Sequence, residues 1–305
     1  MPTPLPRFAD YLLLTVLAAL WGGGFMLMKV AVDTVPPATM TTARATIATL
    51  LFAGVLLATG RRLPAERRVW ATAALAGLFG IALPFSLTAW GEERIDSGLA
   101  AILMAGMPLV TLVLARFVSG NEAMTANKLV GVGFGIAGLV VLIGPAKLAT
   151  LGDDAVRQLA VVAASVCYAI NAVVQKRISG QDPYAISAAI MISASAMLLP
   201  VSLVLDAPWT LVPTGEAWLA LLLLGIFPTG LASLLMLAIL RRQGAGFFAN
   251  VNFLVPVFGV AWGFVILSER PPASALAALV LILAGVAISR GIGRPRQPVL
   301  AETTR

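Results

Sequence analysis

Tyr168, Asn171 and Gln175 stand at i, i+3 and i+7 within an otherwise apolar stretch. On a helix they share one face and present a phenol and two carboxamides, uncharged groups that donate and accept hydrogen bonds. About 147 residues earlier, Trp21, Gly24 and Met28 occupy an equivalent face with an indole and a thioether. Further faces of mixed character are Leu83, Ser86 and Trp90; Met104, Met107 and Thr111; Thr229, Ser233 and Met236; and Gly246, Asn250, Phe253 and Val257. Together these groups suit the binding of a small zwitterion with an apolar side chain. The competing reading for each stripe is helix packing and interhelical hydrogen bonding. The set lacks bond-breaking chemistry. The chain has no histidine, which removes a Ser-His-Asp triad, a histidine-ligated metal and an imidazole relay. Its one cysteine, Cys167, excludes an intrachain disulfide and a thiolate zinc cage and reads as a small core residue. Neither cofactor nor metal is expected.

The elements that carry these faces are membrane spans. Apolar residues other than glycine make up 59% of the 305-residue chain, charged residues only 11%, and mean hydropathy is +0.95. A bilayer core of about 30 Å requires about 20 apolar residues per helix. Ten such stretches are found, near 9–31, 37–59, 69–91, 95–117, 124–144, 156–176, 183–204, 216–240, 244–267 and 272–290. The first is too long for a cleaved signal peptide and is expected to be retained. The net charge of +7 resembles that of a nucleic-acid binder, but its distribution points to the positive-inside rule instead. If the N-terminus is cytoplasmic, only Arg94, Lys147, Arg157 and Arg270 of the 21 basic residues fall on the outer side, and Lys29 and Arg44 within spans. Both termini are therefore expected in the cytoplasm, with no nucleic-acid partner.

The two halves correspond. Trp21 to Lys29 aligns with Tyr168 to Lys176, Pro37 with Pro183, Gly80-Ile81 with Gly225-Ile226, Pro108 with Pro256, Glu122 with Glu269, and Gly138 with Gly285. Five spans per half force the second half into the bilayer upside down relative to the first, an architecture typical of transporters. The fold class is thus all-α: ten transmembrane helices in two inverted repeats, residues 1–146 and 147–290, around a central cavity, followed by a cytoplasmic tail at 291–305. Pro84, Pro108, Pro228 and Pro256 lie inside spans at matched places. They free the carbonyls of Gly80, Met104, Leu224 and Asn252 and mark candidate hinges beside a substrate site.

Lys29 is expected to snorkel toward the outer surface. Arg44, deeper, is expected to form a structural or gating ion pair with Asp33 or Glu269 rather than to clamp a substrate carboxylate. Glu92, Glu93, Glu122 and Glu269 fall at helix ends, so no buried carboxylate is visible and proton coupling through a midplane acid is not expected. Gly133 to Gly138 matches GxGxxG but lies within a span. Gly131 and Gly135 read instead as a close-packing face, within the chain or between subunits.

The Pro108…Glu122 and Pro256…Glu269 spacings, the Trp21-Gly22-Gly23-Gly24-Phe25 stretch and the Pro37…Arg44 pair resemble the EamA-type ten-helix branch of the drug/metabolite transporter superfamily. The resemblance runs over residues 9–290 and is greatest to bacterial exporters of aromatic and other amino acids. It implies a multi-pass protein of the bacterial inner membrane, monomeric or homodimeric and in contact with lipid. It also implies a central cavity, with the fifth and tenth helices at the periphery, and export of a small-molecule substrate by alternating access. The same scaffold with another cargo (a drug cation, a polyamine or a nucleotide sugar) and a non-transporting membrane protein are the alternatives; an enzyme is not expected.

Overall fold

The computed structural model describes residues 5–119, 125–144, 153–178 and 180–290. Glu122, Lys147, the boundary between residues 146 and 147, and the tail at 291–305 lie outside them. Among the described residues the chain forms eight helices long and apolar enough to cross a membrane and two shorter apolar ones: α1 (Phe8–Val32), α2 (Pro37–Thr59), α3 (Arg67–Glu92), α4 (Ser97–Met104 continuing as Met107–Ser119), α5 (Ala126–Ile143), α6 (Asp153–Gln175), α7 (Pro183–Leu205) and α8 (Gly215–Phe248), with α9 (Val251–Ile266) and α10 (Ala273–Ser289) the shorter pair. The sequence places their ends locally. Pro37 and Pro183 open α2 and α7 at the first helical position, where a missing amide costs nothing. Asp182 caps α7 by accepting from the amides of Tyr184 and Ala185 at 2.8 and 3.2 Å. Gly60 ends α2 at φ 66°, and Gly244 (φ 74°) breaks the last turn of α8 away from the rest.

The helix pairings repeat when the halves are exchanged. Helix α1 packs on α8 and α9, and its counterpart α6 packs on α3 and α4. Helix α2 packs on α8 as α7 packs on α3, while α2 pairs with α7, α4 with α9 and α5 with α10. The side-chain contacts show the halves to be antiparallel. The start of α1 meets the end of α8, through Asp10 and Arg242 at 2.9 Å. The start of α6 meets the end of α3, where Arg157 pairs with Glu93, and the same end of α3 meets the end of α1, where Lys29 donates to the Glu92 carbonyl at 2.6 Å, so α6 starts where α1 ends. We call the end of the molecule at which α1 starts the near end and the opposite one the far end.

Small residues let these pairs approach. A Cβ at Gly22 would sit 2.7 Å from the Gly259 nitrogen of α9, one at Gly23 would meet Trp262, and one at Gly24 would lie 3.3 Å from Pro228 of α8. The glycine triplet thus lets one helix press on two neighbours at once. In the α5–α10 pair, Gly131 lies against the Gly285 carbonyl and Gly135 against Leu109 of α4, so this glycine face is used inside the chain. Much of the rest of α5, including Leu129, Val130 and Ile136, is exposed apolar surface.

Candidate functional site

The four prolines at matched places, Pro84, Pro108, Pro228 and Pro256, sit at or just after helix irregularities. In α3 the backbone widens to a π-turn over Leu78–Ala82, immediately before Pro84, and the Leu83 amide donates to the Leu78 carbonyl. In α8 the matched π-turn spans Gly225–Leu231 around Pro228. Helix α4 breaks at Ala105 and Gly106 ahead of Pro108, and the chain entering α9 breaks at Ala249 and Asn250, less than two turns before Pro256. The carbonyl that Pro228 frees, that of Leu224, is not orphaned: the π-turn brings it the Thr229 amide five residues on, and the Thr229 hydroxyl also donates to it at 2.7 Å. At the corresponding place in α3, the Asn171 carboxamide of α6 packs on the backbone of Gly80, so close that no Cβ would fit there.

The α8 π-turn holds the centre of the site. Having donated its proton to Leu224, the Thr229 hydroxyl oxygen accepts from Nε and Nη2 of Arg44 at 3.1 and 3.0 Å. Arg44 also directs Nη1 at the Met28 sulfur at 3.4 Å and lies 3.7 Å above the centre of the Phe85 ring. Tyr168 is an electrostatic neighbour of the guanidinium. Ser233 donates to the Thr229 carbonyl at 2.6 Å. One cluster therefore gathers side chains from α1, α2, α3, α6 and α8, across both halves. Arg44 is only 4% exposed, and no carboxylate among the described residues lies within ion-pair distance of it.

The expected ion pair of Arg44 is thus not formed. Asp33 is exposed, and Glu269 serves elsewhere. Glu269 accepts from the Ser97 amide (2.8 Å), the Ser97 hydroxyl (3.0 Å) and the Gly98 amide (2.9 Å), capping the start of α4 from the loop after α9. Three donors at a helix N-terminus offer a carboxylate more than a lone guanidinium further inside.

The expectation of no buried carboxylate is also corrected. Glu92 is fully buried, and neither of its side-chain oxygens has a hydrogen-bond partner. Its charged neighbours are Lys29 from α1, Arg44 from α2 and Glu269. Lys29 donates instead to the Glu92 backbone carbonyl at 2.6 Å, which binds the far ends of α1 and α3 together. Asp10, in the first turn of α1, is a second buried acid. It accepts from Gln243 at 2.8 Å and pairs with Arg242, closing α1 onto the near end of α8.

The other residues singled out by spacing do not all meet in one place. Met28, Tyr168, Thr229 and Ser233 belong to the Arg44 cluster, and Ser86 is the chain neighbour of Phe85. Asn171 lies against α3, with exposed Gln175 donating to it at 3.2 Å. Trp21 packs edge-on against Phe248, 6.0 Å between ring centres. Half-buried Met107 follows the break in α4, and its neighbour Met104 accepts from Ser165 at 3.4 Å. Trp90 stands apart at the far end, 36% exposed, under the Arg157 guanidinium at 3.9 Å. Asn250 and Phe253 also stand apart, at the near end, where Arg290 of α10 reaches both. Spacing alone did not give Arg44, Glu92 and Phe85 their places. The helical phase of Pro84, Thr88 and Glu92, four apart and all buried, was the available signal for Glu92.

At the near end the halves are tied by Arg61, just after α2, which pairs with Asp182 at the start of α7. Arg61 and Arg241 both stack on Tyr184, at 4.6 and 4.8 Å. Burial alone would raise the Asp182 carboxyl, but the Ala185 and Tyr184 amides and the Arg61 guanidinium together hold it below its usual value.

The chain is similar to known proteins. The chain is 28% identical over 290 residues to a probable terminal-alkyne amino-acid exporter of Streptantibioticus cattleyicolor, covering 94% of this chain and 95% of that protein. It is 26% identical over 262 residues to the uncharacterized inner membrane transporter YedA of Escherichia coli, covering 85% and 82%. It is also 26% identical over 266 residues to the aromatic amino acid exporter YddG of Ancylobacter novellus, covering 85% and 90%. A crystal structure superposes with a TM-score of 0.67 at 22% identity, over 95% of this chain and 99% of that one, which shows the fold. Residues 9–144 and 157–291 each match one family description, once per half. With ten helices, pairings that repeat on exchange of the halves and two matched segments that fill most of its length, the chain belongs to the EamA-like transporter family.

Proposed function

We propose that this membrane transporter exports amino acids, with a preference for aromatic and neutral side chains, from the cytoplasm by alternating access. The observation that carries the reading is the cluster at the α8 π-turn. A buried guanidinium, a hydroxyl and a phenol meet a phenyl ring and a thioether where both halves contribute. Polar groups fix the orientation of a small polar ligand, while the ring and the sulfur accept varied apolar shapes. The matched irregularities at Pro84, Pro108, Pro228 and Pro256 supply hinges in both halves, so that the two halves can exchange conformations. Two relatives bear names of amino-acid exporters, which supports this class of cargo. The basic-residue count supports cytoplasmic termini in a bacterial inner membrane, with the exposed apolar faces against lipid.

The test is counterflow in liposomes preloaded with unlabelled tryptophan, threonine or glutamate, following entry of the same labelled amino acid. Tryptophan is expected to exchange fastest and glutamate slowest. Equal rates for the three remove the side-chain preference, and no exchange of any removes the amino-acid reading.

A further inference from the structure

We propose that Arg44 is the carboxylate-binding group of the transport site, so that the cargo must carry a free carboxylate. This deepens the reading above and rests on it. A guanidinium has five N–H donors. Thr229 takes one from Nε and one from Nη2, and Met28 takes one from Nη1. One N–H on each terminal nitrogen is left without an acceptor. The Thr229 bonds fix the rotation of the guanidinium and the Phe85 ring fixes its plane, so these two donors are held ready for one ligand. A carboxylate is the ligand whose two oxygens match such a pair.

Charge leads to the same conclusion. An arginine in a membrane span normally pairs with an acid. Here the nearest candidates are otherwise engaged or out of range: Glu269 is bound to the α4 N-terminus, Asp33 is exposed, and Glu92 interacts only beyond ion-pair distance. The anion that completes the site therefore comes from outside the chain.

The experiment compares each of tryptophan, threonine and glutamate with its methyl ester, and tryptophan with tryptamine, as competitors of labelled tryptophan counterflow. Ligand-induced rise of the unfolding temperature in detergent is the second readout. A charge-assisted bond lost from a desolvated site should weaken the ester and the amine by roughly tenfold or more. Arg44→Gln should bind tryptophan and its ester equally weakly, and Arg44→Lys should restore part of the difference. Where Arg44→Gln does not fold, the ligand series on the unaltered protein decides alone. If the acids are carried but esters and tryptamine compete as well as tryptophan, the arginine assignment falls while amino-acid transport stands. If no acid binds or exchanges, both fall together.

Discussion

At the scale of single residues, Thr229 joins two otherwise separate problems. Pro228 leaves the Leu224 carbonyl without its helical donor, and Arg44 brings a charge into a low-dielectric interior. One hydroxyl answers both, donating to the first and accepting from the second. Thr229→Val keeps the shape and removes the oxygen, leaving part of a buried guanidinium unsatisfied. Each unsatisfied group costs about 1–3 kcal/mol. We therefore expect a clear fall in the unfolding temperature in detergent and loss of most counterflow activity. Thr229→Ser should recover both, since it restores the hydroxyl and loses only a methyl. A valine variant as stable and active as the parent would show that Arg44 is held by other groups. The role of Thr229 was half legible. Its place on one helical face with Ser233 and Met236 marked it, but the arginine it serves lies 185 positions away, and no local pattern announces such a partner. Trp90 shows the converse. Its spacing suited a binding face, but its rotation toward the surface is set by packing against α6, where Arg157 covers it.

At the scale of helices, boundaries and breaks were the most legible features, because they are set by a few residues in sequence. The prolines at positions 84 and 228 locate the two π-turns, and the extended residue before Pro183 begins α7 where expected. Which helix ends meet was not legible: the Arg61–Asp182 pair joins loops 121 residues apart. That pair gives a dependence on pH with a definite sign. The folded chain holds the Asp182 carboxyl below its ordinary value of 3.8, so the ionised form stabilises the folded state. The contribution is complete above the unfolded value and is lost as pH falls through the lower folded one. Asp182→Asn can still cap α7 but cannot pair with Arg61. We expect the variant to unfold at a lower temperature than the parent at pH 7, and the gap to close on acidification below about pH 4. A gap independent of pH would mean that the aspartate acts as a cap alone.

At the scale of the molecule, the inverted repeat is the feature from which a transport cycle follows. The principal interhelical pairings have partners under exchange of the halves: α1 on α9 with α6 on α4, and α2 on α8 with α7 on α3. A conformation that opens one end then has a counterpart of similar energy that opens the other, which is what alternating access requires. The side chains that meet the two π-turns differ, however, and come from helices that are not counterparts. Arg44 binds the α8 π-turn, whereas on the α3 π-turn the contact is a carboxamide, Asn171. Chemistry is concentrated on one side of the pseudo-axis, and the sequence repeat, which showed only the common skeleton, gave no warning of this asymmetry. The skeleton itself predicts a topology. The loop after α1 and the loop before α7 must lie on opposite faces of the membrane, because five helices, α2 to α6, separate the two loops. Cys167, the single native cysteine, is 8% exposed, so the unaltered chain should give little background labelling. Asp33→Cys should react with an impermeant maleimide added outside intact cells, and Gln181→Cys only after the inner membrane is opened. Reaction of both from the same side would contradict the inversion, and with it the equivalence of states on which the proposed cycle depends.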